Sequence, residues 1–150
     1  MPGAVQVLRR LAVEFLVVVD QDDTRCRLFM SRYALESRKP TGRPSSTAFY
    51  RAMREALNVP EDDRFMTISE HDAANFRHGD AYGVARSADV VYIQITVFNT
   101  PTAEQKAALF RRIADLLGES PDIRPEEVFV TVLDAAKENW SVGHGLAQFA

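Results

Sequence analysis

The sequence predicts an α+β domain made of a duplicated β-α-β unit, with two helices on one face of a four-stranded mixed sheet. Segments rich in β-branched residues alternate with segments whose apolar residues fall at helical spacing. The turn after each helix also repeats. Val59-Pro60-Glu61-Asp62-Asp63-Arg64-Phe65-Met66-Thr67 in the first half matches Arg124-Pro125-Glu126-Glu127-Val128-Phe129-Val130-Thr131 in the second, offset by one residue. Finally, 150 residues that are 46% hydrophobic and 26% charged suffice for one cored domain and are too apolar for disorder.

The elements follow in order. Val5–Val19 is dense in valine and reads as a strand, ending at the acidic cluster Asp20, Asp22 and Asp23. Arg27–Leu35 is a second candidate strand, and Glu36–Ser46, with Pro40, Gly42 and Pro44, is a loop. Ser45 or Ser46 can cap a helix over Thr47–Leu57, whose Phe49, Met53, Ala56 and Leu57 share a face until Asn58-Val59-Pro60 stops it. Arg64–Ser69 alternates as a strand does, and His71–Ala88 reads as a long polar loop.

The second half opens with the strongest strand, Val90–Phe98. Thr102 then caps a helix that runs to about Leu117, with Gln105 placed to complete a capping box and Gly118 as the stop. Val128–Leu133 is the last strand, and an aromatic tail, Trp140–Phe149, follows. Two helices cover only one sheet face. The other, presenting Val91, Ile93 and Ile95 or their alternates, is expected to be bare and apolar, which predicts an oligomer.

Several classes of function are disfavoured. A net charge of −3 provides no general attraction to nucleic acid. No apolar run approaches the ~20 residues of a membrane-spanning helix. Leu11–Val19 after Arg9 and Arg10 does not read as a secretory signal, because Glu14 interrupts it and acids rather than small residues follow. Cys26, the single cysteine, excludes an internal disulfide framework and a cysteine zinc site, and fits a reducing compartment such as the cytoplasm. His71, His78 and His144 lack metal-ligand spacing.

Four stretches, taken together and in order, resemble the tautomerase superfamily, and within it the malonate semialdehyde decarboxylase-like group. They are Asn58–Phe65, Thr67–His71, the strand Val90–Val97 followed by Thr102-x-Glu104-Gln105-Lys106, and Glu138-Asn139-Trp140-Ser141-x-Gly143-x-Gly145. The resemblance runs from Ala48 to Phe149. It divides a single domain over 1–150 into an atypical segment, 1–46, and a recognisable region, 47–150. It implies a homotrimer with no metal or organic cofactor, acting on small 2-oxo or 3-oxo acids.

The resemblance also implies site residues. An amino-terminal proline, exposed by removal of methionine, is the family's general base, and Met1-Pro2 begins this chain. A secondary amine in a dry pocket is neutral near pH 7 and can accept a proton. Asp63 matches the carboxylate that orients the proline or a water, although aspartates before a strand are also ordinary turn residues. Trp140, Val142 and Phe149 match the apolar pocket wall. The family's substrate-binding arginine pair has no counterpart in Phe98-Asn99-Thr100-Pro101-Thr102, where Asn99 is left as a polar contact.

Pro2 precedes Asp63 by 61 residues, whereas a strand, turn and helix need only ~30–35. Three arrangements are open: Val5–Val19 is the first strand and 20–46 an insertion; Arg27–Leu35 is the first strand and Pro2 begins an appended segment; or 1–46 is a diverged start. The expected function is tautomerisation or hydration with Pro2 as base. The alternative is a catalytically silent homotrimer of the same fold.

Overall fold

The computed structural model describes residues 10–16, 46–71 and 74–150. Pro2, Cys26, the candidate strand Arg27–Leu35 and the loop up to Ser45 lie outside them. The elements run β1 (Arg10–Leu16), α1 (Ser46–Leu57), β2 (Met66–His71), β3 (Val91–Phe98), α2 (Ala103–Glu119) and β4 (Val128–Ala135). The strands form one sheet in the order β2-β1-β3-β4, with β1 antiparallel to β2 and β3 parallel to both β1 and β4.

The alternation of β3 sets the core. Val91, Ile93, Ile95 and Val97 are all buried and join Phe49, Met53 and Leu57 of α1 and Leu109, Ile113 and Leu117 of α2 in a single cluster. Val128, Val130 and Val132 of β4 pack on the same cluster. Period two in the strands and 3.6 in the helices thus bring every apolar stripe to one layer. Across the helix pair, Arg112 of α2 binds Glu55 of α1, which Arg51 also holds at 2.7 Å. Arg112 first, and Arg51 second, bring the Glu55 carboxyl down to about 2.

The structure corrects two expectations. Gly118 does not end α2: the helix continues through it to Glu119, and Ser120 N–H closes the last turn on Leu116 O at 3.1 Å. The sheet face turned away from α1 and α2 is also not the wholly apolar surface expected from sequence. Val91, Ile93 and Ile95 point to the helices, their alternates Tyr92, Gln94 and Thr96 are half-buried, as are Phe129 and Thr131 of β4, and Leu133 is exposed. That face mixes aromatic, hydroxyl and amide groups. The capping box of α2 forms as the sequence predicts, with Gln105 N–H donating to Thr102 Oγ1 at 3.3 Å and Thr102 N–H to Gln105 Oε1 at 2.9 Å.

Leu117 is fully buried between the helices and the sheet. Leu117→Ala is expected to lower unfolding stability by about 2–5 kcal/mol, measured by urea denaturation.

Candidate active site

The turn between α1 and β2 is built to bury a carboxylate. Asn58 leaves the helix at φ 54, a left-handed cap that asparagine tolerates, and its N–H bonds Arg54 O at 3.1 Å. Val59 drops into the core at 2% exposure. Pro60 turns the chain, and Tyr50 Oη of α1 donates to Pro60 O at 2.5 Å and also meets Glu61 O. Asp63 N–H returns to Pro60 O at 3.2 Å. The turn carries the Asp63 side chain to 0% exposure, with no hydrogen-bond partner among the described residues for either carboxylate oxygen. Burial alone pushes its pKa from 3.8 up to about 7.

Strand register locates this carboxylate. Met66 is level with Phe15, Phe15 with Ile95, and Ile95 with Val132. Continuing that line past β2 brings Asp63 level with Phe98 and Ala135, which are themselves partners. One strand lies between β2 and β3, so the lateral offset is ~10 Å. At this end of the sheet stands a second, smaller apolar cluster. Phe98 is buried, and Trp140 and Phe149 meet its ring edge-on at 5.2 and 5.0 Å between centroids; Val142 and Ala135 complete the group. Trp140 Nε1 is buried without a partner among the described residues, a third unsatisfied polar atom at this end after the two Asp63 oxygens.

The structure therefore gathers Trp140, Val142 and Phe149 into one wall and sets Asp63 at the same end of the sheet. Asn99 is exposed just beyond Phe98, its N–H bonded to Ala135 O at 3.2 Å. Among the described residues no group of histidine, cysteine and carboxylate side chains is arranged to hold a metal.

Sequence reasoning missed Glu127. The repeated turn aligns Asp63 with Glu127, each two residues before a phenylalanine, and these are the two buried charged residues among those described. Their environments are opposite. Glu127 accepts Ser87 N–H with both oxygens at 3.0 Å and pairs with Arg124. Burial works to raise its pKa, but those bonds outweigh it and hold the carboxyl below its ordinary value. One carboxylate of the repeat is satisfied, while the other has no partner among the described residues. The repeat was visible in the sequence; the bond to Ser87, 40 residues away in the chain, was not.

Comparison with known proteins decides the family. The model of a family described as tautomerase enzyme matches residues 63–143. The chain belongs to the tautomerase family. It is 36% identical to the probable tautomerase YusQ of Bacillus subtilis (strain 168) over 104 residues, 69% of this chain and 82% of that protein. It is 29% identical to the probable tautomerase YrdN of the same organism over 96 residues, 63% of this chain and 74% of that one. The fold is like that of FG41 malonate semialdehyde decarboxylase inhibited by 3-bromopropiolate, with a TM-score of 0.67, 26% identity, and coverage of 95% of this chain and 93% of that one. A second malonate semialdehyde decarboxylase structure matches at a TM-score of 0.61 and 22% identity, covering 93% of this chain and 94% of that one.

The Asp63 environment has a thermodynamic consequence. A carboxyl whose folded pKa exceeds its unfolded value binds more protons in the native state, so its contribution is fully present below the unfolded value and is lost as pH rises through the folded one. Stability should fall between about pH 4 and pH 7, and Asp63→Asn should flatten that slope and be the more stable protein at pH 8. Urea melts at pH 5 and pH 8 check both.

Proposed function

We propose that this protein is an enzyme that tautomerises or hydrates small 2-oxo or 3-oxo acids, and the observation that carries this is the Asp63 carboxylate, fully buried with neither oxygen bonded by a described residue. A buried acid without a partner is costly to a fold. At the same end of the sheet as the apolar wall of Trp140, Val142 and Phe149, a carboxyl whose pKa is raised to about 7 suits proton transfer. In this reading Pro2, freed of methionine, is the general base, Asp63 orients it, and Asn99 contacts the substrate from the open side. Ketonisation of an enol then needs two transfers: the neutral amine takes the enol hydroxyl proton, and the ammonium so formed delivers a proton to the β-carbon, which returns the amine to its starting state while Asp63 holds it in place. No Arg or Lys lies between Arg86 and Lys106, so the strand-end loop supplies no cation to clamp a carboxylate.

The same reading takes the two β-α-β halves as a duplication, the assembly as a homotrimer in the cytoplasm, and the chemistry as needing no cofactor. Tyr92, Phe129 and Leu133 on the uncovered sheet face support assembly through that face, Leu133 being 46% exposed. The catalytically silent homotrimer is favoured by a different observation. β1 enters the sheet beside His71 and Val91, the end away from Asp63, so Pro2 reaches Asp63 only if the preceding chain doubles back.

Phenylpyruvate enol should ketonise faster in the presence of the protein, and Pro2→Ala and Asp63→Asn should each slow it by roughly 10²–10⁴. Equal rates in all three proteins would favour the silent reading. Light scattering at micromolar concentration should give the mass of three chains, and a single-chain mass would refute the trimer.

A further inference from the structure

Asp63 is buried in the middle of an exposed stretch: Glu61, Asp62 and Arg64 around it all face water. Its carboxylate finds no donor among the described residues. A carboxyl buried in that way gains by swinging out to solvent, where its charge is hydrated. Its place inside therefore depends on how firmly the turn is held. Asn58 and Val59 fix only where the turn begins, and residues 60–64 need a hold from another element.

That hold comes from α1. Tyr50 is 5% exposed, and its side chain meets the turn at three places. Its hydroxyl donates to Pro60 O at 2.5 Å and also meets Glu61 O. Pro60 O is the acceptor for Asp63 N–H as well, at 3.2 Å, so one carbonyl oxygen joins the Tyr50 hydroxyl to the backbone of Asp63. On the far side, the Arg64 guanidinium lies 4.4 Å from the centre of the Tyr50 ring. One side chain thus grips the chain both before and after Asp63. Arg54, one helical turn beyond Tyr50, adds only an exposed pair with Glu61 at 3.6 Å, a weak tie in water.

We infer that Tyr50 is a positioning residue for the candidate active site, holding the turn so that the Asp63 carboxyl stays inside the protein. It acts through Asp63 and need not touch a substrate. The inference rests on the reading of Asp63 as a group of the active site, but its first test needs no activity.

Tyr50→Phe keeps the ring and its contact with Arg64 and deletes one oxygen. The Asp63 carboxyl carbon, followed by NMR, should titrate at about 7 in the unsubstituted protein. In Tyr50→Phe it should titrate lower, toward the ordinary 3.8, because the loosened turn lets the ionised form reach water. Exchange of Asp63 N–H should quicken by about tenfold, as loss of a hydrogen bond that closes the turn entails. Phenylpyruvate enol ketonisation should lose about tenfold in kcat with KM unchanged. Leu117→Ala, which weakens the core away from the turn, should move neither the Asp63 titration nor kcat. In the unsubstituted protein the Tyr50 hydroxyl proton should exchange slowly. An unmoved Asp63 titration in Tyr50→Phe, an equal fall in Leu117→Ala, or a Tyr50 hydroxyl proton that exchanges as freely as that of the exposed Tyr82 would each overturn the inference. With ketonisation absent from the unsubstituted protein but the titration moved, the proposed function fails and the hold of Tyr50 on Asp63 stands.

Discussion

β3 has to satisfy two surfaces at once, and the rest of the molecule is arranged around that demand. Its odd-numbered residues are all apolar and all buried under the two helices. Its even-numbered residues are then fixed on the other face, since side chains alternate strictly along a strand. The strand ends on Phe98, buried at the end of the sheet, and Tyr92 near its start stacks on Phe129. A slip of one residue would expose the helix-facing stripe and dismantle the aromatic cluster at one end and the stacked pair at the other. The candidate site thus inherits its position from the register that forms the core.

The two buried carboxylates show how one local motif yields two physical outcomes. A turn that begins with proline and acids, just before a strand, delivers a carboxylate into the interior in each half of the chain. Glu127 meets a backbone N–H and a guanidinium there, so its charge is compensated and it serves to anchor the loop. Asp63 meets no donor among the described residues, and burial raises its pKa to about 7. Removing an ionised group from water without a partner is costly, so the motif is compensated in one half of the described chain and not in the other.

Membership of the tautomerase family accounts for the fold. The loop after β3 carries Asn99 and neither Arg nor Lys, whereas Arg77 and Arg86 lie in the β2–β3 loop at the opposite end of the sheet. The two ends of the sheet therefore differ in charge.

The sequence by itself determined the elements from Ser46 onward, the inward face of each helix, the capping box at Thr102 and the family. These depend on periodicity and on contacts between residues close in the chain. It also nominated Asp63, Trp140, Val142 and Phe149 as site residues, through order and resemblance rather than through any property of the single residues. Which face of β3 meets the helices, and that Glu127 is held by Ser87 while Asp63 meets no donor among the described residues, were decided by the tertiary structure. Both depend on groups brought together from separate segments. Burial, and with it the cost or benefit of a charge, belongs to that assembled environment and not to a position in the chain.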